Sequence, residues 1–117
     1  MMHKIAFDIG GVLSDHQILL GLARTLAVSE SWEVHIISAI GTGDTEREKS
    51  YHDQFDGLVR ADRVHIVRFT SGKDIEAAVA KVVIMREHAI TVLIDDNPTI
   101  CDYVRKAGLM ALQVFYG

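Results

Sequence analysis

Five short apolar segments alternate with four stretches of helical spacing along the whole chain, and this alternation is what most limits the fold. The apolar segments are HKIAF (3–7), EVHIIS (33–38), RVHIVRF (63–69), AITVLI (89–94) and LMALQVF (109–115). Several are rich in β-branched residues, which favour strands. Between the first two, Ile18, Leu19, Leu22, Ala23 and Leu26 repeat at helical spacing over 17–28. Ser14 or Asp15 is the expected cap of that helix. The charged run DTEREKSYHDQF carries Tyr51 and Phe55 as an i, i+4 apolar pair and predicts a surface helix. A third helix follows SGKD, where Ser71 and Asp74 have capping-box spacing, with Ile75, Ala78, Val79, Val82 and Arg86 on adjoining positions. The last spans 99–107, with Pro98 at its start and Gly108 at its stop. The pattern is βαβαβαβαβ with short connections. It predicts an α/β three-layer sandwich, a five-stranded parallel sheet covered by helices on both faces. Strands that are apolar throughout, rather than alternating, fit a sheet buried on both sides.

With 117 residues the chain suffices for one domain, 1–117, and its 49% hydrophobic content supports a packed core. The net charge of −4 argues against a general nucleic-acid-binding surface without excluding a local one. The single cysteine, Cys101, allows no intramolecular disulfide and reads as a small packing residue. No apolar run reaches membrane-spanning length, and MMHKIAFDIG lacks the features of a signal peptide, so the expected location is the cytoplasm, with no membrane partner.

In an open parallel sheet, ligands bind outside the carboxyl ends of the strands. At those ends the sequence places Asp8 after strand one, Ser38 at the end of strand two, Thr70, Ser71 and Lys73 after strand three, and Asp95 and Asp96 after strand four. Acids from two strands can share a hard divalent cation, and a hydroxyl and an ammonium can hold phosphate oxygens. Taken singly, each residue has an ordinary role as a cap, a turn residue or a solvated charge. The adjacent acids Asp95 and Asp96 at the end of an apolar strand are less ordinary, because they repel unless a cation is near.

These segments, in this order, resemble the haloacid dehalogenase-like superfamily of phosphohydrolases. D-I-G-G-V-L (8–13) resembles its first motif, Ser38 in HIIS its second, Lys73 in TSGKD its third and VLIDDNP its fourth. The resemblance covers nearly the whole chain. It implies a Rossmann-like core in which Asp8 is the nucleophile, forming an aspartyl-phosphate, and a magnesium ligand. Gly10, through its carbonyl, and Asp96 would complete the Mg2+ site, with Asp95 supporting. Ser38, the adjacent Ala39 and Lys73 would hold the phosphoryl group. The implied activity is a magnesium-dependent phosphatase acting on an unidentified phosphate ester, small or macromolecular.

The departure is Gly10, where phosphatases of that family usually carry an acid that protonates the leaving group. General acid–base catalysis contributes about 10²–10⁴-fold. Asp15 or His16 is a substitute candidate. The alternative reading is a degenerate binding or regulatory module. A phosphoacceptor receiver domain fits less well, since its acidic pair and lysine stand in the reverse order. Neither long connection has room for a cap domain, so an open site is expected, one that suits either a large substrate or a covering partner subunit, a second copy of the chain in a homo-oligomer included. His52, Arg60, Arg63, His65 and Arg68 are candidate contacts for an anion, though a solvated surface is the plainer expectation.

Overall fold

The computed structural model describes residues 2–41, 43–70 and 72–115. Five parallel strands form one sheet: β1 (His3–Phe7), β2 (Trp32–Gly41), β3 (Val64–Phe69), β4 (Val92–Asp95) and β5 (Met110–Gln113), in the order β3-β2-β1-β4-β5. Four helices connect them: α1 (Gln17–Ala27), α2 (Thr45–Gln54), α3 (Asp74–Glu87) and α4 (Pro98–Lys106). The fold is therefore the expected α/β layering, with a fully parallel sheet flanked by helices. The chain winds outward from β1 to β3, then crosses back to β4 on the other side of β1. That reversal puts a crevice between the carboxyl ends of β1 and β4.

Two cores fill the faces. Ile5, Phe7, Val34, Ile36 and Ile94 pack beneath α1 with Ile9, Val12 and Leu13. Ala6, Ile37, Val67 and Leu93 pack beneath α3 and α4 with Ala78, Val82, Met85, Cys101 and Val104. Alternate residues of β1 and β2 thus enter opposite cores, as the period of two requires.

Local chemistry explains the element ends. Asp44 caps α2, its carboxylate accepting from the Arg47 amide. Asn97 caps α4, accepting from the Ile100 amide, with Pro98 in the first turn. Gly108 has φ +85°, as a residue closing a helix does.

Some expectations shift. β2 runs three residues past Ser38, to Gly41. Ser14 and Asp15 do not cap α1: its N-cap is His16, which makes no side-chain cap bond, while Ser14 Oγ donates to the Ile9 carbonyl and Asp15 accepts from the Gly11 amide. Both are drawn into closing the loop after β1. Ser71 lies outside the described residues, and Lys73 stands at the α3 N-cap without a side-chain cap bond. The buried face of α3 is Ala77, Ala78, Lys81, Val82 and Met85, leaving Ile75 and Val79 exposed. Apolar residues occur all round this helix, so spacing alone does not fix which face turns inward.

Candidate active site

The loop Ile9–Leu13 begins directly where β1 stops. The Asp8 amide donates to the Ile94 carbonyl, so the residue just past β1 is still tied to β4. Gly11 has φ +75°, a left-handed conformation that a side chain disfavours, and turns the chain away from the sheet edge. Ser14 and Leu13 amides close wide turns onto the Ile9 and Asp8 carbonyls. The outcome is a carboxylate held at the carboxyl rim while Val12 and Leu13 are buried behind it.

Asp8, Gly10, Ser38, Ala39, Tyr51, Phe69, Asp74, Ala77, Lys81, Asp95, Asp96, Asn97 and Ile100 line a cavity of ≈ 150 Å³ at this crevice. Six of the seven residues expected at the site therefore meet there. Lys73 does not. It is largely exposed, and its Nζ lies 4.0 Å from Glu76 Oε1. The ammonium in the cavity belongs to Lys81, two helical turns further along α3.

Lys81 is 1% exposed. Its Nζ lies 3.1 Å from Asp8 Oδ1 and 2.7 Å from Asp95 Oδ2, joining the ends of β1 and β4. A buried ion is tolerated only when paired and hydrogen-bonded. Here the two acids hold the lysine's pKa above its ordinary value, against the opposing effect of burial, which is the largest single influence. For Asp8 the balance falls the other way. Burial outweighs the attraction of Lys81, the Asp95 charge adds to the rise, and its pKa is pushed up to about 6. The Asp8 carboxyl is thus poorly solvated and harder to ionise than an ordinary aspartate.

Asp95 is fully buried and both of its oxygens are engaged, Oδ2 with Lys81 and Oδ1 with the Asn97 amide. Asp96 is partly exposed, and one oxygen from each of Asp8, Asp95 and Asp96 lies within 4.8 Å of the others. Oxygen donors at this spacing fit a hard divalent cation such as magnesium. Four acids, Asp8, Asp74, Asp95 and Asp96, line the cavity against the one lysine. An anion entering alone would meet net repulsion, so a bound cation is the physical condition for holding a phosphate here.

Gly10 has φ −62° and ψ 127°, open to any residue, and a Cβ placed there meets nothing within 4 Å. Its glycine is not required by the backbone. Neither Asp15 nor His16 lines the cavity, and the Asp15 carboxylate is 2.7 Å from the Gly11 amide.

The sequence reading also missed Tyr51, Phe69 and Asp74 as lining residues. Lys81 alone carried a signal, as a lysine in register with Ala77, Ala78, Val82 and Met85. Of the residues weighed as anion contacts, the three arginines are each paired with an acid: Arg60 with Asp62, Arg63 with Glu33 and Arg68 with Glu48. A larger depression of ≈ 620 Å³ between α1 and residues 54–58 has only Arg24 and Asp56 as charged lining residues, and offers no comparable constellation. No helix among the described residues is long and apolar enough to cross a membrane. Against protein-family models and curated proteins, the chain has no significant match.

Proposed function

We propose that this chain is a magnesium-dependent phosphohydrolase of the haloacid dehalogenase-like type, acting through an aspartyl-phosphate on Asp8. The observation that carries the reading is the Asp8–Lys81–Asp95 bridge at the strand-order reversal, with Asp96 beside it. Its chemistry differs from the sequence expectation at one point, since Lys81 takes the part given to Lys73.

Asp8, the Gly10 carbonyl and Asp96 would hold magnesium, which supplies charge neutralisation on the phosphoryl oxygens. Asp95 has its oxygens committed to Lys81 and Asn97, so it positions the lysine. The Asp8 carboxylate attacks phosphorus in line with the ester oxygen; the P–O ester bond breaks, its electron pair leaves on the alkoxide oxygen, and that oxygen takes its proton from solvent water. Lys81 and Ser38 orient and neutralise the transferred group, as positioning dominates phosphoryl transfer. Water then cleaves the acyl phosphate, releasing phosphate and restoring Asp8. Because Gly10 supplies no acid, substrates with good leaving groups react best.

The test is phosphate release from p-nitrophenyl phosphate and acetyl phosphate, with and without magnesium. Turnover should need the metal, vanish in Asp8→Asn and Lys81→Gln, and persist in Lys73→Gln. A second reading, a binding or regulatory module on the same fold, is favoured by the missing acid at Gly10 and the tethered Asp15. Folded protein that binds magnesium and turns over neither substrate would establish that reading instead.

A further inference from the structure

Three of the six histidines meet at the other end of the sheet. His35 comes from β2, His65 from the start of β3, and His88 follows the last residue of α3. His88 is seven residues beyond Lys81, about 10 Å along the helix axis. This places the cluster at the amino end of the strands, remote from the acidic cavity. One nitrogen from each ring lies within 4.8 Å of the others. His35 Nδ1 and His65 Nε2 are only 2.9 Å apart. Ring centroids of His65 and His88 are 4.4 Å apart, and those of His35 and His88 5.5 Å.

We propose that His35, His65 and His88 form a binding site for a borderline divalent transition ion, zinc above all, at the amino end of the sheet. Zinc bound at about 2.0–2.1 Å to each nitrogen in tetrahedral geometry needs neighbouring nitrogens about 3.4 Å apart. The cluster is already within reach of that spacing by small side-chain rotations. His35 is 2% exposed, whereas His65 and His88 are half-buried, so the fourth position opens to water. Three imidazoles plus water is a recurrent zinc coordination.

The surroundings match what a ligating histidine needs. His35 Nε2 is 2.6 Å from Glu33 Oε2, which fixes the hydrogen on Nε2 and leaves the Nδ1 lone pair facing His65. Glu33 is itself anchored, with Arg63 Nη2 at 3.3 Å and Lys4 Nζ at 3.6 Å. Lys4 Nζ also donates to the His88 carbonyl at 3.1 Å, tying the third ring's backbone to the same network. In the metal-free chain His65 Nε2–H donates to His35 Nδ1. On binding, that hydrogen moves to His65 Nδ1, and both facing lone pairs go to the ion. Imidazole donors discriminate against magnesium, which prefers oxygen. The two ends of the sheet should therefore bind different metals independently.

The experiment is titration of the untagged full chain with Co2+, followed by displacement with Zn2+, in excess Mg2+. The expected result is one Co2+ per chain, with the visible spectrum of a four- or five-coordinate nitrogen site, displaced by Zn2+ and not by Mg2+. His65→Gln and His88→Gln should abolish that spectrum, and Glu33→Gln should weaken binding by about 10–100-fold. His3→Gln and Asp8→Asn should leave it unchanged. Circular dichroism establishes that each variant is folded, and His88, half-buried beyond the end of α3, is the substitution least able to disturb the core. Three results overturn the proposal: no stoichiometric binding at micromolar metal, binding indifferent to both His65→Gln and His88→Gln, or binding lost in Asp8→Asn.

Discussion

Gly10 is where a single residue decides most. Its backbone is ordinary, it lines the cavity, and a Cβ added there would meet nothing within 4 Å. The chain therefore omits an acid that its geometry would accept. Gly10→Asp should fold normally and raise turnover of esters with poor leaving groups by about 10²-fold, the low end of a general acid's contribution. Steady-state rates for alkyl and aryl phosphates check this; an unchanged ratio between them would show that protonation at this position does not limit the reaction. Gly11, one residue on, is the reverse case, since its φ of +75° depends on glycine. Composition does not tell these two adjacent glycines apart; only the resemblance does, by setting Gly10 where the acid is missing. Lys81 and Lys73 were confused for a related reason. Both lie in or beside one helix, and only packing decides which lysine stands over the sheet.

At the level of elements, the strands were legible because each is an apolar run bounded by polar residues. The helices were legible where a cap or a proline marked them, as Asn97 and Pro98 mark α4. α3 was legible as a helix but not in its orientation: Ile75, Val79 and Val83 face outward although they are as apolar as the residues that face in. α1 shows the same ambiguity, with Ile18 exposed and Ala23 buried. α1 also contains Gly21, where a Cβ would meet nothing within 4 Å. Glycine in a helix interior costs about 0.8–1.0 kcal/mol relative to alanine. Gly21→Ala should stabilise the protein by roughly that amount in urea unfolding, with an unchanged m-value.

Across the whole molecule, the two ends of one sheet gather different donor groups. The carboxyl end gathers oxygen donors and a buried lysine; the amino end gathers imidazoles. Between them lies the core beneath α3 and α4, which contains Cys101 at 0% exposure. Burial, assisted by the Asp95 charge, pushes the Cys101 thiol up to about 11. A thiol that is both enclosed and protonated should resist a disulfide reagent at neutral pH in the native state. Its labelling rate should rise with denaturant in parallel with global unfolding. Fast labelling in native buffer would mean that this core opens locally.

Composition and periodicity by themselves determined the βα alternation, the parallel sheet and the meeting of Asp8, Ser38, Asp95 and Asp96 at one rim. These follow from local patterns: a strand's end is marked in its own sequence, and a parallel sheet brings all such ends together. Tertiary structure decided what no local pattern encodes. It chose Lys81 over Lys73, because helix rotation is set by total packing against the sheet. It tied Asp15 back into its own loop, since the Gly11 amide was within reach. It brought His35, His65 and His88 together, although 30 residues separate His35 and His65. Their approach depends on strand order and on the length of α3, quantities that exist only once the chain has folded.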